Sequence, residues 1–229
     1  MIFERDHLYH IYNQGNNKQK IFFSRDNYLF FLNKIKKHVL PHADIIAWCL
    51  MPNHFHLMVY VHSVEIDVDS DLTHGVTDLT HGVTQSHPVS DAKKISLNNN
   101  IAIMLRSYTR AINKQFNRSG ALFRESTKSE CLTSFDGITP SFFNTAFGTQ
   151  INVRIPEKEY PQACFSYIHQ NPVKAKLVEK AEDWEFSSYQ DYSGKRNGKL
   201  VNKERAKEYV DINLVNTHGV NSKSPREFK

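Results

Sequence analysis

Two histidines, His54 and His56, are the residues of this 229-residue chain whose type and spacing most directly suggest chemistry. They stand two positions apart in a stretch, 54–61, in which every second residue is aromatic or aliphatic, and this alternation predicts a β-strand. Both imidazoles would then project from the same face and could share one divalent cation. The alternative is a strand with two solvated histidines. The apolar opposite face favours the metal site, because it would anchor the strand.

A second pattern is a series of cations on the strongest predicted helix, residues 97–117. An apolar stripe that includes Ile101, Leu105 and Tyr108 runs along one side of this helix. Another side carries a basic residue at every fourth position, namely Arg106, Arg110, Lys114 and Arg118. Such a series is either an ordinary solvated face or a surface that follows a nucleic-acid backbone.

The charge distribution suggests a polyanionic partner. Lys and Arg number 29 and Asp and Glu 24, which gives a net charge of +5. Residues 62–92 contain six acidic residues and neither Lys nor Arg, so they contribute −6 and the remainder of the chain contributes +11. Nucleic acid is the commonest partner of so basic a surface, and a basic surface kept for solubility is the alternative.

Composition excludes several classes of protein. Hydrophobic residues make up 40% of the chain and charged residues 23%, as in ordinary globular proteins. No run of about 18 apolar residues predicts a membrane span, and the first residues lack the pattern of a signal peptide. The cysteines, Cys49, Cys131 and Cys164, are scattered. This excludes a disulfide scaffold or a cysteine-type zinc module and is typical of a cytoplasmic protein.

The elements that must position these residues follow from hydrophobic periodicity and turn residues. The predicted order is a strand at 7–14, a helix that ends before Pro41, strands at 44–51 and 54–61, a helix at 97–117, a strand that ends near Leu132 and a helix at 157–170. The last helix should end or kink at Asn171, because Pro172 disfavours the helical conformation in the residue before it. This order resembles a ferredoxin-like α+β fold, with an antiparallel sheet, helices packed on one face and long loop insertions.

Two segments interrupt this plan. Residues 62–96 contain the unit Asp-Leu-Thr-His-Gly-Val-Thr twice in tandem, at 71–84. The repeats lack a hydrophobic face, so a mobile insertion is expected rather than a histidine metal site. Residues 133–156 have no clear period and are expected to form a second loop insertion. The sequence thus predicts one domain over residues 1–192, followed by a polar tail at 193–229.

Three sequence motifs occur in order along the chain. They are Tyr-His-Ile-Tyr-Asn-Gln-Gly-Asn-Asn at 9–17, Ala-Trp-Cys-Leu-Met-Pro-Asn-His-Phe-His-Leu-Met-Val at 47–59 and Tyr-Ile-His-Gln-Asn-Pro-Val-Lys at 167–174. The second resembles the histidine–hydrophobe–histidine strand of HUH-type single-tyrosine transposases, in the branch called REP-associated tyrosine transposases. The other two are similar to that family's first strand and catalytic-tyrosine segment. The match covers residues 7–61, about 97–132 and 157–192.

The resemblance implies a role for each matching residue. His54 and His56 would bind Mg²⁺ or Mn²⁺ against the scissile phosphate of single-stranded DNA, with Asn171 assisting the metal. Tyr167 would be the nucleophile, leaving a 5′-phosphotyrosine link and a free 3′ hydroxyl, and hairpin-forming DNA is the expected substrate. Relatives include monomers and homodimers, and in the dimers the tyrosine helix of one chain serves the metal site of the other.

The same residues have simpler interpretations. Tyr167 lies on the apolar stripe of its helix and could be a core residue. Asn171, which precedes Pro172, could cap a following helix. At the level of function, the alternatives are a domesticated transposase that only binds structured DNA and a nuclease with a water nucleophile. Minor candidates are His169 for catalysis and, for base stacking, Tyr12, Phe123 and Trp48, the last being more typical of a core.

Overall fold

The computed structural model describes residues 1–67, 94–133 and 160–213. Its main helices and strands, numbered in chain order, are β1 (His7–Gln14), α1 (Arg25–His38), β2 (Ala43–Met51), β3 (His54–Val61), β4 (Glu65–Asp67), β5 (Lys94–Ser96), α2 (Leu97–Gln115), β6 (Lys128–Cys131), α3 (Tyr160–Lys174), α4 (Tyr189–Tyr192) and α5 (Lys203–Lys207). Among the described helices, none is long and apolar enough to cross a membrane.

At the start of each of the two long helices before β6, a polar side chain accepts a hydrogen bond from a backbone N–H group. Ser24 precedes α1, and its backbone N–H donates to Oδ1 of Asn27 at 3.2 Å. Ser96 precedes α2, and its hydroxyl oxygen accepts from the backbone N–H of Asn99 at 3.2 Å. Such contacts stabilise a helix start, because the first turn has N–H groups without partners inside the helix.

Four strands form one antiparallel sheet in the order β2-β3-β1-β6. β3 therefore lies between β1 and β2, which α1 connects, and α2 leads to the edge strand β6. This is the split β-α-β arrangement that the order of elements predicts, so the ferredoxin-like α+β class is confirmed. The turn at Pro52 and Asn53 joins β2 to β3 and places Met51 opposite His54.

Apolar side chains cover both faces of the sheet, and each face has its own core. α1 and α2 pack on the first face, where Phe31 and Phe55 belong to one cluster. α3 packs on the second face, where Phe165 and Met58 belong to another cluster. The prediction that the helices lie on one face is therefore wrong for α3. The physical reason is that β2 is buried on both sides and so needs cover on both.

Pro172 does not end α3, which continues to Lys174. The expected end at Asn171 is therefore wrong, whereas the alternative of a kink at Asn171 stays a prediction. Proline lacks the N–H that would donate to the carbonyl of Ile168, four residues earlier, and its ring disfavours an uninterrupted helix. Ile168, Asn171 and Pro172 are all buried, however, so packing on the second face outweighs the local cost.

The folded body extends beyond residue 192. Val201 forms a parallel bridge with Ile45 of β2, and Ala206 of α5 is buried in the second core. Parts of residues 193–213, which were expected to belong to the tail, thus pack on the sheet, and residues 214–229 lie outside the described residues.

The long insertions are described only at their ends. β4 and β5 pair antiparallel where the segment 62–96 leaves the body and rejoins it. The tandem repeat at 71–84 lies outside the described residues, as do residues 134–156 of the second expected insertion.

Candidate functional site: strand histidines beside a helix tyrosine

β3 presents His54 and His56 on the face of the sheet that α3 covers. Met58, which shares that face by alternation, belongs to the second core, whereas Phe55 belongs to the first. β3 pairs with β1 on one side and β2 on the other, so hydrogen bonds fix its register along its length. The ring centroids of the two histidines are 5.0 Å apart, with the ring planes at 86°. Both imidazoles thus lie on one face, as the spacing predicts.

α3 places Tyr167 against these histidines within the same chain. The centroid of the Tyr167 ring lies 5.4 Å from that of His56, with the ring planes at 81°. The tyrosine is only 6% exposed and belongs to the second core. Tyr167 is therefore a core residue and a neighbour of the histidine pair at the same time, so these two interpretations do not exclude each other.

A third histidine, His10 on β1, completes the cluster and was not among the residues that the sequence singled out. Its Nε2 lies 2.9 Å from Nδ1 of His56, a hydrogen-bond distance, and its ring is 6.2 Å from that of Tyr167. The predicted strand at 7–14 places His10 on one of the two faces of the sheet. Only the observed register of β1 against β3 shows that His10 and His56 lie on the same face. The predicted split β-α-β fold makes β1 and β3 neighbours, but the sequence holds no signal for their register.

The hydrogen bonds of the histidine pair suit a divalent metal ion. Nδ1 of His54 lies 2.7 Å from Oδ1 of Asn53. An amide oxygen only accepts, so Nδ1 carries the proton and Nε2 keeps a lone pair. Nε2 of His56 is buried and has no hydrogen-bond partner in the described part of the chain. A buried polar atom without a partner is costly, and a bound cation would satisfy it.

The three clustered histidines are neutral at pH 7. Burial lowers the pKa of His10 to about 3 and the pKa of His54 to about 4. Burial also holds the pKa of His56 well below its usual value, and the charges that His54 and His10 would carry lower it further. Only the neutral imidazole can donate a lone pair to a metal, so the cluster already has the protonation state that ligation needs.

Asn171 is the residue of α3 that could supply an oxygen ligand. No group of three or more His, Cys, Asp or Glu side chains within the described ranges could hold a metal ion, so a metal here would need an amide or substrate oxygen beside the histidines. Asn171 is buried one turn after Tyr167, and its Nδ2 donates to the Tyr167 carbonyl at 3.1 Å. This leaves Oδ1 for a cation. The capping interpretation is wrong, because Asn171 lies inside α3.

Tyr167 is a protonated phenol at pH 7. Burial raises its pKa to about 12, while a side-chain hydrogen bond from Asn171 acts in the opposite direction. Nζ of Lys174 lies 5.4 Å from the centroid of the Tyr167 ring, which places a cation beside it on the same helix. A phenol with this pKa needs a base or a nearby cation before it can act as a nucleophile.

The cations of α2 lie across the sheet from this cluster. α2 packs on the first face, and three of its basic residues are exposed to solvent: Arg106, Arg110 and Lys114. Residues 94–124 contain six Lys or Arg residues and no acidic residue, so this layer is strongly basic. The predicted cationic surface is thus present, but it is not adjacent to Tyr167.

Arg118 is placed differently from the other three cations. It lies beyond Gln115, the last residue of α2, so it does not continue their helical series. Its guanidinium is hydrogen-bonded to Oε1 of Gln19 and lies over the ring of Phe23, at 5.2 Å from the centroid. These contacts hold the Arg118 side chain against other residues of the protein.

The minor candidates for catalysis and base stacking contact other residues of the protein. Nε2 of His169 is 2.7 Å from the hydroxyl of Ser188, and the histidine is 2% exposed. Trp48 and Phe123 belong to the first core, which leaves no open ring face for a base. Tyr12 is half-buried and stacks on His10 at 4.8 Å between ring centroids. Tyr12 therefore belongs to the histidine cluster.

Comparison with known proteins gives one result. No family model matches the chain, and no curated protein matches it. Among solved structures, the chain is similar to a REP-associated tyrosine transposase bound to a REP hairpin, with a TM-score of 0.46 and 14% sequence identity over 100% of this chain and 97% of that chain.

Proposed function

We propose that this chain cleaves and rejoins single-stranded DNA through Tyr167, at a divalent metal site formed by His54 and His56. The observation that supports this function is the position of the Tyr167 ring, 5.4 Å from a His56 ring whose buried Nε2 has no partner among the described residues. The residue that we propose as the nucleophile and the neutral histidines that we propose as metal ligands are therefore close together. Asn171 is proposed as the oxygen ligand from the tyrosine helix.

The cleavage step exchanges one phosphate ester for another. The phenolic oxygen of Tyr167 forms a bond to the scissile phosphorus, while the bond from phosphorus to the 3′ oxygen of the preceding nucleotide breaks. The proton lost by the phenol ends on that 3′ oxygen, through solvent, and the downstream strand stays on Tyr167 as a 5′-phosphotyrosine. When bound, Mg²⁺ or Mn²⁺ supplies positive charge at the non-bridging phosphate oxygens. Attack by another 3′ hydroxyl reverses the step and joins strands without ATP.

The residues that hold this geometry are on secondary structure, not on loops. β3 is paired on both sides, and α3 is packed on the second face of the sheet. Catalytic groups on such elements keep their relative positions, which phosphoryl transfer requires. Both the tyrosine and the histidines come from one chain, so we propose that a monomer carries a complete site.

A second candidate function is binding of structured DNA without cleavage. The observation that favours it is the exposed series Arg106, Arg110 and Lys114, which lies on the first face, away from Tyr167. Such a surface could hold a DNA backbone whether or not the other face is active.

A covalent-adduct experiment tests the proposed function. The full chain is incubated with Mn²⁺ and a DNA hairpin with a single-stranded flank, labelled at the 3′ end, and is then separated under denaturing conditions. Wild type should carry the label, and Tyr167→Phe should not. Tyr160→Phe is the matched control, since it removes another phenol of α3, one that is hydrogen-bonded to Glu130, and should leave the adduct unchanged.

Each other outcome selects a different function. Equal adduct from wild type and Tyr167→Phe would show that Tyr167 is not the nucleophile. Cut DNA without attached protein would indicate a water nucleophile at the same site. Tight binding of the hairpin by wild type, with neither cutting nor adduct, would favour the DNA-binding alternative.

A further inference from the structure

His10 lies on the same face of the sheet as His56. β1 and β3 are antiparallel neighbours in which His10 pairs with Met58 and Tyr12 pairs with His56. Directly paired residues share a face, so His10 is diagonal to His56 across the strand pair. The Tyr12 ring stacks on the His10 ring, with centroids 4.8 Å apart and planes at 30°, and His10 is fully buried. The position of the His10 ring is thus fixed from two sides.

The hydrogen bond between His10 and His56 can be made in two ways. In the first, Nε2–H of His10 donates to Nδ1 of His56, and the proton of the neutral His56 ring is then on Nε2. In the second, Nδ1–H of His56 donates to Nε2 of His10, and Nε2 of His56 keeps its lone pair. Only the second arrangement lets His56 ligate a cation through Nε2.

We propose that His10 is a positioning residue, whose Nε2 accepts the Nδ1 proton of His56 and so keeps the Nε2 lone pair of His56 for a divalent cation. This inference rests on the proposed function, because it assigns the partner of one of its metal ligands. Nε2 of His56 is the atom that is buried without a hydrogen-bond partner within the described residues, as the second arrangement requires of a ligand atom. His54 has the equivalent partner in Oδ1 of Asn53.

His10 is not a third ligand in this arrangement. Its Nε2 is 2.9 Å from Nδ1 of His56, so that atom is engaged with the ring of the neighbouring histidine. The three histidines also do not converge as a three-residue metal group among the residues that the structure describes. Partners of this kind orient a ligating ring, and their loss usually costs about ten- to a hundred-fold in metal affinity.

The first test reads the tautomer directly in the metal-free full chain. Histidine side chains are labelled with ¹⁵N, and two-bond correlations between ring nitrogens and ring protons are recorded at pH 7, with His56→Gln used to assign the signals. The expected result is a protonated Nδ1 and an unprotonated Nε2 on His56. The opposite tautomer in wild type overturns the proposal, and this measurement needs no variant of His10 to fold.

The second test measures binding of Mn²⁺ by titration calorimetry. His10→Phe removes the acceptor and should weaken binding by about ten- to a hundred-fold, whereas His10→Gln offers an amide oxygen as acceptor and should restore most of the affinity. Equal affinity of wild type and folded His10→Phe contradicts the proposal. Neither the tautomer measurement nor the Mn²⁺ titration requires strand cleavage. If the protein shows the expected tautomer and affinities but forms no covalent adduct, the proposed function is disproved, whereas the role of His10 is supported.

Discussion

The ring of Tyr167 on α3 lies 5.4 Å from the ring of His56 on β3 within a single chain. This relationship depends on the side of the sheet that α3 occupies. If α3 packed beside α1 and α2 on the first face, the sheet itself would separate the phenol from the imidazoles. The departure from the predicted one-sided packing is therefore what allows the candidate site to form.

A mixing experiment tests whether one chain is sufficient for cleavage. Under the proposed function, Tyr167→Phe lacks the proposed nucleophile and His54→Ala lacks a proposed metal ligand, so each should form no adduct with hairpin DNA and Mn²⁺. Because both residues of a site come from the same chain, we expect their mixture to form none either. Wild type diluted with either variant should keep adduct in proportion to its own amount. Recovery of adduct in the mixture would show that the tyrosine of one chain serves the metal site of another.

Local patterns predicted the part of the site that lies on one element. The alternation at 54–61 identified β3 with its observed bounds and placed His54 and His56 on one face. The periodicity at 97–117 likewise identified α2. These predictions succeed because a strand or a helix relates near neighbours in the sequence by a fixed geometry.

The remaining parts depend on contacts between distant segments. The contact of His10 with His56 requires the register of β1 against β3, and the contact of Tyr167 requires α3 to cover the second face. Neither follows from the periodicity of a single segment. Pro172 shows the same limit, because its local preference predicted that the helix ends or kinks at Asn171, whereas α3 continues to Lys174 with the neighbouring side chains buried.

Lys174 should assist cleavage through its charge. Its Nζ lies 5.4 Å from the centroid of the Tyr167 ring, close enough to favour negative charge on the phenol or on the phosphate that it attacks. We expect Lys174→Gln to slow adduct formation by about tenfold, which corresponds to roughly 1.4 kcal/mol in the barrier. Lys174→Arg should retain most of the rate. Lys176→Gln removes an exposed charge from the residue two positions on and is the control; an equal loss in both glutamine variants would argue against a specific role of Lys174.

The exposed cations of α2 should contribute to DNA binding in proportion to their number. Arg106, Arg110 and Lys114 are solvent-exposed, whereas Arg118 is held by Gln19 and Phe23. Replacing the first three with alanine should reduce the slope of log affinity against log salt concentration by about 2, from a loss of roughly 0.7 per phosphate contact on a single strand. The measurement is a salt titration of binding by fluorescence anisotropy, with catalysis blocked by omission of the metal.

A matched set of lysines controls for the loss of overall charge. Alanine at Lys180, Lys199 and Lys203 removes the same number of charges from other parts of the surface. This variant should keep the wild-type salt slope. If both triple variants change the slope equally, or if neither does, α2 is not the surface that DNA occupies.

His42 is held in a neutral state by its partners. Its Nδ1 lies 3.0 Å from the carbonyl of Ser63, which only accepts, so Nδ1 carries the proton. Nε2 then accepts from Nδ2 of Asn100 at 2.8 Å. If Nε2 of His42 were protonated, its N–H would face the Nδ2–H of Asn100, and two donors would oppose each other. Burial lowers the pKa of His42 from its usual value, the hydrogen bond to Ser63 opposes this effect, and the charge of His62 lowers the pKa further.

The stability of the fold should therefore fall in acid. The unfolded chain takes up a proton on His42 near pH 6.5, and the folded chain does so only at a lower pH. The contribution of this histidine is then complete above about pH 6.5 and is lost as the pH falls below that value, by at most about 1.4 kcal/mol per pH unit. Urea unfolding between pH 7.5 and 5 measures the slope. We expect His42→Gln to be less stable than wild type at pH 7.5 but to have a shallower slope, because it has one titrating group fewer. Parallel slopes in the two proteins would show that His42 has the same pKa in the folded and unfolded states. That result would contradict the prediction, which rests on the buried position of His42 between Ser63 and Asn100.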